Sequence, residues 1–252
     1  MPKQALVLYS SVAGSIRKLH EQIGQIVEDL CENGDYVANV RPLKPGMRGA
    51  DIYSEEIGKI DLVISAGGDG TLRHTLGGAA EVNLQAPIGI VPLGTGNLLA
   101  KNLGVYKGDG TTAESIDYAL DIIKQGHSVP LDLGKANDDY FIVAAGAGPI
   151  ATAIARPGSQ AKRSLKMFAY TMPLLKIIFR KEVPFKIVAD GKTMERTAGG
   201  IFVSNASDMG IGCNLNASEY NDGYFDLCIF SADDLIQGMK IAFRFGSCSW
   251  LV

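Results

Sequence analysis

No stretch of 18 consecutive apolar residues occurs, so the sequence offers no membrane-spanning helix. The nearest approach, Phe141 to Ala155, is 15 residues long and is interrupted by Gly146, Gly148 and Pro149. The opening apolar run, Ala5-Leu6-Val7-Leu8-Tyr9, is too short for the apolar core of a secretory signal and reads as a first buried strand. Cysteine is scarce: Cys31, Cys213, Cys228 and Cys248 include no CxxC pair, and no Cys/His cluster has zinc spacing. They read as small core residues in a reducing compartment, which places the chain in the cytoplasm. Positive charge is not in excess. The formal net charge of -3 and a pI near 5.7 argue against a nucleic-acid partner. Low-complexity disorder is excluded by a hydrophobic share of 46% with so small a net charge.

Glycine is abundant, at 30 of 252 residues, against a usual share of about 7%. It follows no collagen period, so it points to tight turns and to backbone that approaches a ligand closely. The first half of the chain alternates strand and helix patterns. Ala5–Tyr9, Tyr36–Val40, Asp61–Ser65 and Ile88–Val91 read as strands. Ile16, Leu19, Ile23, Ile26, Val27 and Leu30 recur at helical spacing, and Asn33-Gly34 ends that helix. A further helix is predicted over Thr112–Gln125. This alternation implies a mostly parallel sheet covered on both faces, which binds ligands at the carboxyl ends of its strands. Near residue 128 the texture changes. Val129–Leu133, Tyr140–Ala144, Phe185–Ala189, Gly200–Ser204 and Tyr224–Phe230 are β-like, and Asp190-Gly191 signals a hairpin turn. The expectation is an α/β domain over 1–128 and a β-rich, incomplete domain over 129–252, with a helix-like insertion around 160–182. No internal repeat and no Pro- or Ser-rich linker separates them.

Two loops carry chemistry. Ser65-Ala66-Gly67-Gly68-Asp69-Gly70-Thr71 follows the third strand and opens a helix. Its glycines leave no Cβ in the way, so successive amides can converge on an anion at the helix start. Thr71 can cap the helix or bond a phosphate. An Asp in an anion loop repels bare phosphate. Asp69 therefore answers to a metal ion on the phosphates or to a sugar or substrate hydroxyl; the plainer alternative is that it only caps the helix. Pro92-Leu93-Gly94-Thr95-Gly96-Asn97 follows the fourth strand and leads into a helix over Leu98–Leu103. Two such loops at one end of a parallel sheet can close on a single triphosphate. Neither is the Walker A pattern or GxGxxG.

Taken together, GGDGT and PLGTGN resemble the catalytic domain of the diacylglycerol kinase family, which includes bacterial lipid kinases and sphingoid-base kinases. NAD kinases share GGDGT more distantly. Asn205-Ala206-Ser207-Asp208-Met209-Gly210-Ile211-Gly212 and Asn221-Asp222-Gly223-Tyr224-Phe225-Asp226 are similar to later stretches of that family, and the resemblance runs from about residue 4 to about residue 240. It implies a three-layer α/β nucleotide-binding domain followed by a β-sandwich-like domain, with the active site in the cleft. It also implies transfer of the ATP γ-phosphoryl to a lipid hydroxyl with magnesium, at the inner membrane face. Under the resemblance, Gly67, Gly68, Asp69, Gly70 and Thr71, then Leu72 and Arg73, line the ATP phosphates. Gly94, Thr95, Gly96 and Asn97 do so from the second loop. Arg41 would be a nucleotide contact, and Asp69 the catalytic residue that orients Mg-ATP or the acceptor hydroxyl. The Asp222 carboxylate with the Glu219 and Tyr224 carbonyls would hold a structural magnesium, a donor set that suits a hard cation. A metal-free β-turn is the alternative there.

Two departures stand out. The family continues GGDGT with an Asn-Glu pair, where this sequence has Arg73 and His74. Arg73 could add a cation near the phosphates or face solvent; His74 reads as a surface or packing residue. Relatives also carry a later Asp-Gly-Glu motif whose acid is the general base, and this sequence reaches Val252 before any such motif. The expectation is therefore weakened transfer, with sheet edges exposed to association such as a homodimer. Two rival readings follow: a nucleotide-binding protein without catalysis, and a kinase of a soluble substrate such as NAD. Residues 162–186 hold seven basic residues and one acid, interleaved with bulky apolar side chains. That pattern suits an anionic membrane surface, or equally a core-facing helix with outward lysines.

Overall fold

The computed structural model describes residues 1–10, 16–53, 58–107, 113–155, 182–206 and 219–230. The basic segment over 162–181, positions 207–212 of the later glycine-rich stretch, Cys213, Cys248 and the chain after residue 230 lie outside them. The chain divides into two compact units, Met1–Ile142 and Val143–Val252.

In the first unit the apolar runs become four parallel strands, β1 (Lys3–Ser10), β2 (Tyr36–Leu43), β3 (Leu62–Gly67) and β4 (Ile88–Pro92), in the order β2-β1-β3-β4. A strand turns successive side chains to opposite faces, and the core divides that way. Ala5, Val7, Ile64 and Ala66 pack on one face with Ile23, Ile26 and Leu30 of α1 (Ile16–Cys31) and with Ile116, Ala119 and Leu120 of α5 (Ala113–Lys124). Leu6, Leu8 and Val63 face the other side. There they meet Ile52 and Tyr53 of α2 (Gly49–Tyr53) and Ala79 of α3 (Asp69–Glu81). Helix, sheet and helix thus form three layers, with α4 (Leu98–Asn102) following the second loop. A short hairpin, β5 (Gly134–Ala136) and β6 (Asp139–Phe141), closes the unit.

The second unit holds an antiparallel sheet in the order β11-β10-β7, from β7 (Ala144–Ala147), β10 (Gly200–Ser204) and β11 (Asp226–Phe230). Helix α6 (Pro149–Ala155) follows β7. Phe202 and Phe230 meet edge to face at 5.3 Å. Strands β8 (Val183–Ala189) and β9 (Lys192–Ala198) form a separate hairpin. Its turn is Asp190-Gly191, with φ of 48° and 76°, the left-handed pair that a type I′ turn requires.

Two readings of the sequence need correction. Val129–Leu133 forms no strand; Pro130 brings no N–H to a ladder, and Val129 is exposed. Tyr140–Ala144 is not one strand but the end of β6 and the start of β7, broken at Ile142 and Val143, where the two units divide. The change of texture placed at residue 128 thus falls within the first unit, ahead of the β5–β6 hairpin.

Candidate functional site

The strand order sets the position of the site. From β1 the chain crosses outward to β2, then returns past β1 to β3 on the other side. At such a reversal the connecting segments diverge, leaving a crevice at the carboxyl ends of the strands. The GGDGT loop leaves β3 at this point and the PLGTGN loop leaves the neighbouring β4. The two start level, because Gly67 pairs with Pro92 in the ladder.

The loops are joined by backbone. The Leu93 N–H donates to the Gly67 carbonyl at 2.9 Å. Beyond that bond Gly94 lies against Gly68 so closely that a Cβ on Gly94 would overlap the Gly68 Cα and stand 3.1 Å from its nitrogen. A Cβ on Gly67 would likewise overlap the Thr71 side chain. Gly94 is fixed by the approach of one loop to the other, and Gly67 by the Thr71 side chain of its own loop. Gly70 differs: it is exposed, and a Cβ there would meet nothing within 4 Å.

Asp69 is the first residue of α3, and its carboxylate reaches across to the other loop. Oδ1 accepts the Leu99 N–H of α4 in a long contact of 3.4 Å, and Oδ2 stands 2.7 Å from where a Cβ on Gly96 would be. It therefore caps a helix, but α4 rather than its own α3. Below the loop lies a buried polar chain. The Thr75 hydroxyl donates to the Thr71 carbonyl at 3.0 Å and so must accept from Ser65, 3.1 Å away. Tyr53 donates its hydroxyl to the Thr75 carbonyl at 2.8 Å, and its burial raises the phenol pKa well above the usual range. This chain pins the first two turns of α3 to β3 and α2.

The remaining candidate residues separate into groups. Thr71 and Leu72 are buried, and the Leu72 N–H is spent on the Gly68 carbonyl at 3.0 Å. Thr95 and Gly96 are exposed at the tip of the second loop, while Asn97 is only 2% exposed. Arg41, on β2, donates to the Ile52 carbonyl at the end of α2, a contact that suits a cation at a helix C-terminus. Arg73 pairs with Asp139 of β6 at 3.5 Å.

Arg73, His74, Arg48, Glu81, Met47 and Tyr140 line a cavity of about 260 Å³ on one side of α3. Arg48 pairs there with Glu81 at 3.4 Å and donates to the Asp138 carbonyl at 3.1 Å. Partial burial lowers the His74 pKa; the Arg73 and Arg48 guanidinium groups lower it further, while Asp139 opposes them. The ring is thus neutral at pH 7. Sequence reasoning did not find this cavity, nor the Ser65–Thr75–Tyr53 chain. The available signal for the cavity was that Arg73 and His74 replace an Asn-Glu pair.

In the second unit, Glu219, Asp222 and Tyr224 occupy one exposed turn. Asp222 Oδ1 accepts the Tyr224 N–H at 2.9 Å, and Gly223 has φ +78°. Among the described residues no group of three or more His, Cys, Asp or Glu side chains could hold a metal ion. A cation at this turn would rest on one carboxylate and on backbone carbonyls. Among the same residues no helix is long and apolar enough to cross a membrane.

Comparison with known proteins agrees with this architecture. The family profile of the diacylglycerol kinase catalytic domain matches residues 4–136. A diacylglycerol kinase of Bacillus subtilis (strain 168) is 27% identical over 243 residues, covering 95% of this chain and 78% of the relative. One of Staphylococcus aureus (strain bovine RF122 / ET3-1) is 28% identical over 251 residues, covering 94% of this chain and 73% of the relative. The crystal structure of a diacylglycerol kinase from Bacillus anthracis str. Sterne aligns with TM-score 0.71 and 26% identity, over 96% of this chain and 78% of that one. The strand-order reversal, the two interlocked loops and a profile match spanning both place this chain in the diacylglycerol kinase catalytic-domain family.

Proposed function

We propose that this protein is an ATP-dependent lipid kinase that transfers the γ-phosphoryl group to the hydroxyl of diacylglycerol or a related lipid alcohol. The observation that carries the reading is the backbone contact between the two loops at the strand-order reversal, Leu93 to Gly67 and Gly94 against Gly68. Phosphoryl transfer asks mainly for positioned phosphates and neutralised charge. Exposed backbone at Gly70, Thr95 and Gly96 supplies the positioning in this reading, and the magnesium carried by ATP supplies the neutralisation. The acceptor oxygen forms the new bond to the γ-phosphorus as the bond to the bridging oxygen breaks; ADP leaves and the hydroxyl proton passes to solvent.

Asp69 is assigned the orienting role, since its carboxylate already spans both loops. Arg73 and His74 stand one turn further along α3, and Arg73 keeps its assignment to the ATP phosphates. Arg41 serves α2, and its part in this reading is to hold the wall of the site. The turn at Asp222 is assigned to a structural magnesium, held by the Asp222 carboxylate and the carbonyls of Glu219 and Tyr224. The basic stretch over 162–186 is assigned to the membrane surface that presents the lipid.

A second reading, nucleotide binding without transfer, is favoured by one observation. Arg73 is tied to Asp139 at a position where the family has an uncharged Asn. The deciding experiment supplies radiolabelled ATP and magnesium with a panel of lipid alcohols in mixed micelles, to the wild-type chain and to Asp69→Ala. Label on a lipid, lost in Asp69→Ala with the fold intact, is the expected result. Protection by ATP against heat with no labelled lipid and no ADP release would leave the second reading. Phosphorylation of NAD without lipid would replace both.

A further inference from the structure

The family resemblance makes Asn97 a phosphate ligand, and its surroundings point elsewhere. It is 2% exposed, and it holds the left-handed conformation, φ 51° and ψ 43°, which Asn tolerates better than most residues. Both ends of its carboxamide are used within the loop. Oδ1 accepts the Gly94 N–H at 3.1 Å, and Nδ2 donates to the Gly94 carbonyl at 2.7 Å. Gly94 in turn is the residue pressed against Gly68. The Asn97 carbonyl begins α4 by accepting the Lys101 N–H at 2.9 Å.

We infer that Asn97 is a positioning residue: its side chain closes the second loop into a ring on Gly94, fixes that ring against the first loop, and leaves Thr95 and Gly96 to face the nucleotide. The inference rests on the ATP-binding reading above, though the ring itself belongs to the free protein. A residue in this role shapes the loop without touching ATP. Two replacements separate the effects. Asn97→Gly keeps the left-handed backbone and deletes the ring. Asn97→Asp keeps the acceptor for the Gly94 N–H but sets a carboxylate oxygen against the Gly94 carbonyl.

The test has two arms on the full chain. Amide hydrogen exchange in the absence of ligand should show Gly94 exchanging much faster in Asn97→Gly and less so in Asn97→Asp, which keeps the acceptor, with protection in the strands of the sheet unchanged. ADP with magnesium should bind about tenfold more weakly to Asn97→Gly, the loss expected when two ordinary hydrogen bonds that order a loop are removed. In the kinase assay the KM for ATP should rise while the KM for the lipid stays put, which a loss of general stability would not produce. Unchanged Gly94 exchange in Asn97→Gly overturns the inference, whether or not ADP binding falls. Weakened binding with unchanged exchange would make Asn97 a direct ligand instead. If the wild-type chain binds no nucleotide at all, the functional reading fails, and the exchange arm still decides whether Asn97 shapes the loop.

Discussion

Gly70 and Gly24 make a matched pair for testing whether the first loop meets phosphate. Both are exposed helical glycines, Gly24 within α1 and Gly70 in the first turn of α3, and a Cβ at either would meet nothing within 4 Å. Neither has a positive φ, so the fold gives no reason for glycine at either place. Replacement by Ala should therefore stabilise the helix, by up to about 1 kcal/mol in mid-helix. That is a rise in Tm of about 2–4 °C for a protein of this size. At Gly70, in the first turn, the gain should be smaller. The two variants should diverge when nucleotide is added. Mg-ATP at about one hundred times its Kd stabilises the folded state by about 2.7 kcal/mol. If phosphate oxygens lie against the Gly70 backbone, the added methyl group occupies their space. A tenfold loss of affinity then removes about 1.4 kcal/mol of that protection, or half of the ligand-induced shift. Gly24→Ala should keep the whole shift. Thermal unfolding of the three proteins with and without Mg-ATP is sufficient. A Gly70→Ala protein that shows the full wild-type shift would refute the placement of phosphate at this loop, and with it the main support for the kinase reading.

Gly94→Ala should act on the fold as well as on binding, because its Cβ would strike the Gly68 backbone, which cannot swing aside; a loss of about 1–3 kcal/mol is expected, read as a lower denaturant midpoint, and an unchanged midpoint would mean the loops are not in contact. Thr75→Val should cost about 1–3 kcal/mol by leaving the buried Ser65 hydroxyl without its acceptor; the double variant Ser65→Ala/Thr75→Val should recover part of that loss, and simple additivity would show that the two hydroxyls do not interact. His74 has a lowered pKa in the fold, so as pH falls below about 6.5 the unfolded chain takes up the proton first and stability declines. The stabilising effect of keeping the ring neutral is complete above that pH and lost as pH drops toward the folded value. His74→Gln should flatten the dependence of Tm on pH between 7 and 5, and parallel curves for the two proteins would contradict the placement of His74 beside Arg73 and Arg48.

The parts of the site that were legible in the sequence are those in which a residue type has a single local use. Continuous apolar strands alternating with helices gave the parallel sheet, because burial on both faces demands it, and Asp190-Gly191 gave the hairpin because few residues accept two left-handed conformations. Strand β9 was missed. Its sequence, Lys-Thr-Met-Glu-Arg-Thr-Ala, is mostly exposed, so no apolar period marks it. Partners far apart in sequence were missed for a related reason: Ser65 with Thr75, and Arg48 with Glu81, are pairs of ordinary polar residues until the helix and strand are packed.

Asp69 shows the limit most clearly. Its sequence context offers three uses, a phosphate-bound metal, a sugar or substrate hydroxyl, or a cap for the helix it begins. The geometry adds a fourth, because the donor it meets is the main-chain amide of Leu99, 30 residues away, and the identity of a side chain says nothing about where its backbone amide will lie. That contact is long, 3.4 Å, against about 2.9 Å for a relaxed amide bond, so little is lost if the carboxylate turns to another partner. In the proposed reaction, a carboxylate held this loosely between two loops would turn from Leu99 to a magnesium-bound phosphate at small cost.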